Sequence, residues 1–305
     1  MQCCRNRRRP AGGRIAKYSF EFLSWSITVR FRVDLKRELD ALKRRAESVY
    51  KRGEQIPKPP PRRPSGPLAE LVPGELFEAG GEHFWRVEAL AETIWDDASR
   101  FHAEYLETLG SPFAPEAGSV QDLQALQEAR PEDICYLDLE TTGLSMAPLF
   151  LVGLMYSSGD DLVVEQLFAR DYTEERAVLV HTAETLKRYE VLVTFNGMRF
   201  DMPFLEERWS YAGLEPTGVP IHVDLLPVAR RLLKKRTPNH KLQTLERYLC
   251  KRKRIGDVPG SEIPGVYHEY VRTHDAGGIA GVFHHNRLDL LTMLQLVTVF
   301  LSRSG

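Results

Sequence analysis

From Pro131 onward the chain reads as strand, strand, strand, helix, strand, helix, strand, helix, and that order constrains the fold more than any other feature. Short apolar runs rich in β-branched and aromatic residues place strands at about 134–140, 149–157, 161–169, 191–196 and 220–225. Between the second and third, "SSGDD" leaves room only for a tight turn, so that pair is antiparallel. The later strands are reached through "TEERAVLVHTAETLKRYE" and "DMPFLEERWSYAG", helical stretches long enough for parallel crossovers. The expected fold is therefore α/β: a mixed five-stranded sheet, a three-strand antiparallel meander followed by parallel strands, flanked by helices.

The first strand carries an anomaly. In "CYLDLETTGL", Cys135–Leu144, Asp138 and Glu140 stand where the apolar pattern calls for core. Two residues apart on a strand, both side chains leave the same face. Burying them unpaired costs several kcal/mol each, and like charges so close raise one another's pKa, unless a divalent cation neutralises them. The bland alternative is that one acid caps the next loop while the other meets an arginine.

Two further segments bear on that choice. In "VTFNGMRFDMPFLEER" a buried strand runs to Phe195, Asn196 and Gly197 turn the chain, and Asp201 opens a helix. In "HHNRLDLLTMLQL" Asp289 interrupts a strongly apolar helix. Each has an ordinary explanation by itself, Asp201 as a carboxylate at a helix N-terminus among them. Three acid motifs in this order and spacing do not share one.

Together these motifs resemble the DEDD, or DnaQ-like, 3′ to 5′ exonucleases of the ribonuclease H-like fold. DxE matches Asp138 and Glu140, the NxxxFDxPFL type matches Asn196 through Leu205 with Asp201, and the last matches Asp289 with a histidine upstream. Within that superfamily "GDVPGSEIPGVYHEYVRT" and "HNRLD" resemble the bacterial YprB-like branch. The resemblance covers about residues 133–303 and implies that Asp138, Glu140, Asp201 and Asp289 hold two Mg²⁺ or Mn²⁺ ions. The donor chemistry agrees, since hard oxygen ligands suit those cations and there is no Cys/His cluster for zinc.

The general base is left between two neighbours. One branch pattern places a histidine five residues before the last Asp, which is His284; another places its tyrosine four before, where His285 stands. If one helix runs through all three residues, the separation of four puts His285 on the face of Asp289. The resemblance implies that the loop residues Thr141, Thr142 and Leu144 meet the terminal nucleotide; Asn196 and Phe200 are candidates to contact a sugar or base, although core is the slightly better reading of Phe200. Asp224 in "IHVDLL" either steadies the site from behind or is an ordinary strand-end residue, and His222 reads as structural. The runs "RRLLKKR", Arg230–Arg236, and "KRKR", Lys251–Arg254, either guide a phosphate backbone or form solvated faces.

Upstream the organisation differs. Residues 1–66 hold 18 Lys and Arg against 6 Asp and Glu, so a basic arm precedes an acidic body although the whole chain is near neutral. The sequence divides into a basic, largely disordered arm with one short helix and a Pro-rich linker (1–67), an accessory hairpin and helical segment (68–130), and the ribonuclease H-like domain (131–305). The seam Leu35, Leu39, Leu42, Ala46 and Val49 marks the short helix, and Gly80–Gly81 the hairpin turn. Organised pattern begins near Val33, and translation is expected to start there; an intact mass retaining Met1 would exclude it. Four scattered cysteines form no disulfide framework, no apolar run is long enough for a membrane span, and a cytoplasmic location follows as the expectation.

The acid motifs predict a divalent-metal-dependent nuclease, and the resemblance implies a 3′ to 5′ exonuclease acting on single-stranded DNA or RNA ends, with no membrane. The alternatives are a catalytically weak nucleic-acid-binding module of the same fold, or an endonuclease. No P-loop, GxSxG or strand-linked GxGxxG suggests other chemistry.

Overall fold

The computed structural model describes residues 65–111, 121–144 and 146–302. The seam helix, the expected start near Val33 and most of the Pro-rich linker lie outside the described residues.

The five expected strands all form: β3 (Ile134–Thr141), β4 (Leu149–Ser158), β5 (Asp161–Phe168), β6 (Val191–Thr194) and β7 (Ile221–Asp224). Two more precede them, β1 (Glu75–Ala79) and β2 (Glu82–Leu90), so the count of five is corrected to seven, in the order β1-β2-β5-β4-β3-β6-β7. The hairpin read as accessory does not stand apart, because β2 pairs antiparallel with β5 from Trp85–Phe168 to Leu90–Val163. Its turn needs Gly80 and Gly81, whose φ of 60° and 79° suit residues without a Cβ. The meander is antiparallel, and β6 and β7 add in parallel on the other side of β3.

Between β5 and β6 runs α5 (Glu175–Leu186), and between β6 and β7 runs α6 (Asp201–Tyr211). Strand β6 stops two residues short of expectation because Asn196 takes a φ of 70°, outside the strand region. Helix α6 is pinned rigidly. Arg208 donates to both oxygens of the buried Glu175 at 2.7 and 2.6 Å, Glu175 also accepts the Leu149 N–H at 2.7 Å, and Trp209 donates to the Leu179 carbonyl at 3.0 Å.

Side chains alternating along β3 feed two cores. Cys135 and Leu137 join one with Trp209 and with Tyr267 of the helix α9 (Ile263–Thr273). Ile134 and Tyr136 join the other with Tyr105 of α3 (Ala98–Gly110), Val228 of α7 (Leu225–Leu233) and Leu245 of α8 (Leu242–Leu249). The helix α10 (Gly277–Ser302) takes part in both: Ile279, Val282 and Phe283 belong to the first core, Leu290 through Leu301 to the second. Its polar run His284–Asp289 falls where the helix changes core. That changeover delivers polar side chains to the carboxyl end of β3.

Candidate active site

Asp138 and Glu140 sit near the end of β3, opposite Gly153 and Leu151 of β4, and the pairing shifts register just after Glu140. The strand therefore loosens where the loop Thr142–Pro148 begins. Asp201 is the first residue of α6, and its carboxylate accepts from the Leu139 N–H, which ties the second acid segment to the first. Asp289 lies on α10 one turn after His285. The structure thus brings all four predicted acids and His285 together from three separate stretches of chain.

Their electrostatics record that proximity. Burial raises Asp138 well above the carboxylate range, and Asp289, Glu140 and Asp201 push it further. Glu140 is pushed up to about 8, by burial first, with Asp289 and Asp201 adding and His285 opposing. Burial likewise lifts Asp201 to about 7, against the pull of its backbone hydrogen bonds. Burial alone would depress His285; its bonds to Asp257 and Asp289 reverse that and take it to about 11.

The two candidate histidines differ in their surroundings. Helix α10 is continuous through both histidines, so His285 does share the face of Asp289, with Nε2 at 3.4 Å from Oδ2, while His284 is exposed. The other ring nitrogen, Nδ1, lies 2.8 Å from Oδ1 of Asp257.

Several residues around the acids were missed from sequence. The buried Asn286 donates to Asp138 Oδ2 at 2.8 Å, and accepts from Gln166 Nε2 at 2.8 Å; Gln166 in turn accepts from Arg287 at 2.6 Å. Asn286 needs the space left by Gly153, where a Cβ would stand 2.1 Å from its Oδ1. A lone glycine in "LFLVGLMY" was the available signal, since glycine inside an apolar strand marks a close approach. Arg254 is the second omission. It donates to Asp289, and also to Glu246 at 2.6 Å and Asp257 at 3.3 Å. "KRKR" is accordingly neither a phosphate guide nor a solvated face throughout: Arg252 and Arg254 turn inward to Glu246, and only Lys251 and Lys253 are exposed.

The remaining predicted residues divide. Thr141, Leu144, Phe200 and Asp201 line one cleft of about 350 Å³ with Leu139, Gly143, Arg199, Pro203, Phe204 and Glu207. Leu144 is 82% and Phe200 56% exposed, so Phe200 is not core. Thr142 and Asn196 are not among the cleft residues. The Thr142 N–H and hydroxyl both go to the Pro148 carbonyl, at 3.0 and 3.1 Å, closing the loop. Asn196 turns the chain, its N–H given to Asp224 Oδ1 at 2.6 Å. The buried Asp224 also accepts from Met198 N–H and caps α7 through Leu226 N–H, so it holds the turn before Asp201. His222 contacts the Thr194 hydroxyl at 2.8 Å.

A sequence model of the RNase_H superfamily matches residues 135–301, more than half of the chain, and the chain belongs to that superfamily. It is 30% identical over 171 residues to the uncharacterized protein YprB of Bacillus subtilis (strain 168), covering 54% of this chain and 41% of YprB. A DNA polymerase of Methanocaldococcus jannaschii is 27% identical over 112 residues, 28% of this chain and 7% of the polymerase. Among solved structures, the family B DNA polymerase from the archaeon Pyrobaculum calidifontis is similar with a TM-score of 0.44 and 19% identity, over 55% of this chain and 24% of that one. The chain spans less than half the length of the curated relatives it matches. The expected ribonuclease H-like fold and the likeness to YprB are both borne out.

Proposed function

We propose that the protein is a divalent-metal-dependent nuclease, a 3′ to 5′ exonuclease that hydrolyses phosphodiester bonds at single-stranded nucleic acid ends. One observation carries this reading: Asp138, Glu140, Asp201 and Asp289 converge from β3, α6 and α10, and three of them have pKa values raised by burial and by one another. Buried carboxyls that repel one another are a standing demand for cations.

Among the described residues no three His, Cys, Asp or Glu side chains stand ready around one point to hold an ion. The donor set nevertheless fits Mg²⁺ or Mn²⁺ in chemistry, being all carboxylate oxygen. Asp138, Glu140, Asp201 and Asp289 would hold two such ions, which supply charge stabilisation for the attacking and leaving oxygens of an in-line displacement. The chain's own groups have distinct tasks. His285 receives a proton from the attacking water. In the metal-free protein its bonds to Asp257 and Asp289 raise it to about 11, so it is protonated there. Phe200 and Leu144 offer apolar faces on which a terminal base can stack without sequence preference. The exposed Arg230, Arg231, Lys234, Lys235 and Arg236 draw in the phosphate backbone. Similarity to a DNA polymerase supports a nucleic acid substrate.

A binding module has one observation in its favour, the donation of Arg254 to Asp289, which supplies a permanent counter-charge. The deciding experiment is digestion of matched single-stranded DNA and RNA labelled at the 5′ end, with Mg²⁺ or Mn²⁺ against EDTA, for the wild type, Asp138→Ala and Asp201→Ala. A ladder shortening from the 3′ end, dependent on metal and lost in both variants, is expected. Salt-dependent binding without turnover would establish the binding module, and cleavage of a circular substrate an endonuclease.

A further inference from the structure

We infer that Asp257 is a positioning residue for His285, fixing which ring nitrogen carries its proton and which faces the acids. This deepens the proposed function and rests on it. Asp257 lies in the loop between α8 and α9, 28 residues from the histidine in sequence, within the segment "GDVPGSEIPGVYHEYVRT" but outside the three acid motifs that mark the site.

The geometry is specific. Oδ1 of Asp257 lies 2.8 Å from Nδ1 of His285, and the side chain of each is about nine-tenths or more out of solvent, at 12% and 8% exposure. With Nδ1–H committed to that carboxylate, Nε2 is the nitrogen left to face Asp289, 3.4 Å away. A histidine on a helix otherwise has two ring orientations differing by a flip about Cβ–Cγ, and a carboxylate bound to one nitrogen selects between them and sets the tautomer. Asp257 is held in turn. Its Oδ2 receives Arg254 Nη1 at 3.3 Å, and the same guanidinium reaches the buried Glu246 at 2.6 Å and Asp289. The loop is anchored beside it by Val258, which is buried against Gly281 of α10, where a Cβ would stand 2.7 Å from the valine methyl. A merely structural tie from loop to helix would not require the tie to end on a ring nitrogen whose partner nitrogen points into the acid cluster.

The test combines kinetics with a double-mutant cycle. Asp257→Asn is expected to lower kcat about 10–100-fold with KM changed less than about twofold, and Asp257→Glu to recover part of the loss. In a His285→Ala background, Asp257→Asn is expected to reduce residual activity by less than about twofold, because its effect runs through the imidazole. Equal losses in both backgrounds, or a change confined to KM, would overturn the assignment. Independently of activity, ¹⁵N-histidine spectra of the metal-free protein are expected to show a His285 Nδ1–H protected from exchange, with that protection lost in Asp257→Ala; its persistence there would equally overturn the assignment. A wild type without metal-dependent cleavage would remove the nuclease reading, while the spectra would still decide whether Asp257 sets the ring.

Discussion

At the β3 end of the acid cluster, Asp138 is gripped by the neutral amide of Asn286, itself set by Gln166 and Arg287. At the α10 end, Asp289 meets the guanidinium of Arg254 and the imidazole of His285. An amide orients a carboxylate without cancelling its charge, so burial leaves Asp138 with a strongly raised pKa. Cations orient and neutralise together. One end of the site therefore hungers for a positive ion while the other brings its own, and the two should answer differently to mutation, metal and pH.

The most severe break is Asp138→Ala or Asp201→Ala. Each is expected to lower kcat/KM by on the order of 10³-fold or more, since an ion contributes several kcal/mol to the transition state; single-turnover cleavage checks it. Next comes the cationic end. Arg254→Met leaves Glu246, at 1% side-chain exposure, without part of its compensation, and should destabilise the metal-free protein by about 3–5 kcal/mol in chemical denaturation. Added Mn²⁺ should restore only the portion owed to Asp289, because Glu246 is not among the proposed ligands. At the neutral end, Asn286→Ala should lower activity about 10–100-fold with a smaller loss of stability, and Gly153→Ala should act the same way by pushing Asn286 off Asp138. Similar metal rescue for Arg254→Met and Asn286→Ala would erase the contrast between the ends.

The pH dependence is a gentler probe. Glu140 at about 8 and Asp201 at about 7 lie above their unfolded values, so the native metal-free protein binds more protons than the unfolded chain between roughly pH 4 and 8. Stability from these groups is complete below the unfolded pKa and is lost as pH rises through the folded ones. His285, raised to about 11, contributes with the same sign. Melting temperature should thus fall as pH rises from 5 to 8 without metal, by about 2–4 °C per kcal/mol at this size, and the slope should flatten with saturating Mg²⁺. Smallest of all, His284→Ala should change activity by less than about twofold, as an exposed side chain off the Asp289 face. A large loss there would reopen the choice of base.

What the sequence made legible follows from what leaves a periodic trace. The five strands and their crossovers showed in runs of apolar residues, and the acids showed because charge breaks such a run. The same-face reasoning for His285 and Asp289 needed only a helical period and an uninterrupted helix, which α10 supplies. Asp257 and Arg254 stood in segments that drew notice, but their roles left no trace because they sit in a loop, where side-chain direction has no period; in "KRKR" inward and outward residues look identical. Asn286 stood in plain view beside His285, but its task depends on Gly153, more than a hundred residues earlier, and only the pairing of β3 with β4 connects them. The hairpin was recognised and its place was not, because turn chemistry fixes a local fold and says nothing of which strand it will join.

That place matters for anyone shortening this protein. The superfamily match begins at residue 135, and a fragment cut there would lack β2, leaving the backbone amides and carbonyls of Val163–Phe168 that face β2 without partners along a strand buried on both faces. Bare strands of that kind recruit other chains. A recombinant fragment starting at Pro131 should elute as soluble aggregates where one starting at Ser65 elutes as a discrete species, so the homology boundary is a poor guide to where the scissors belong.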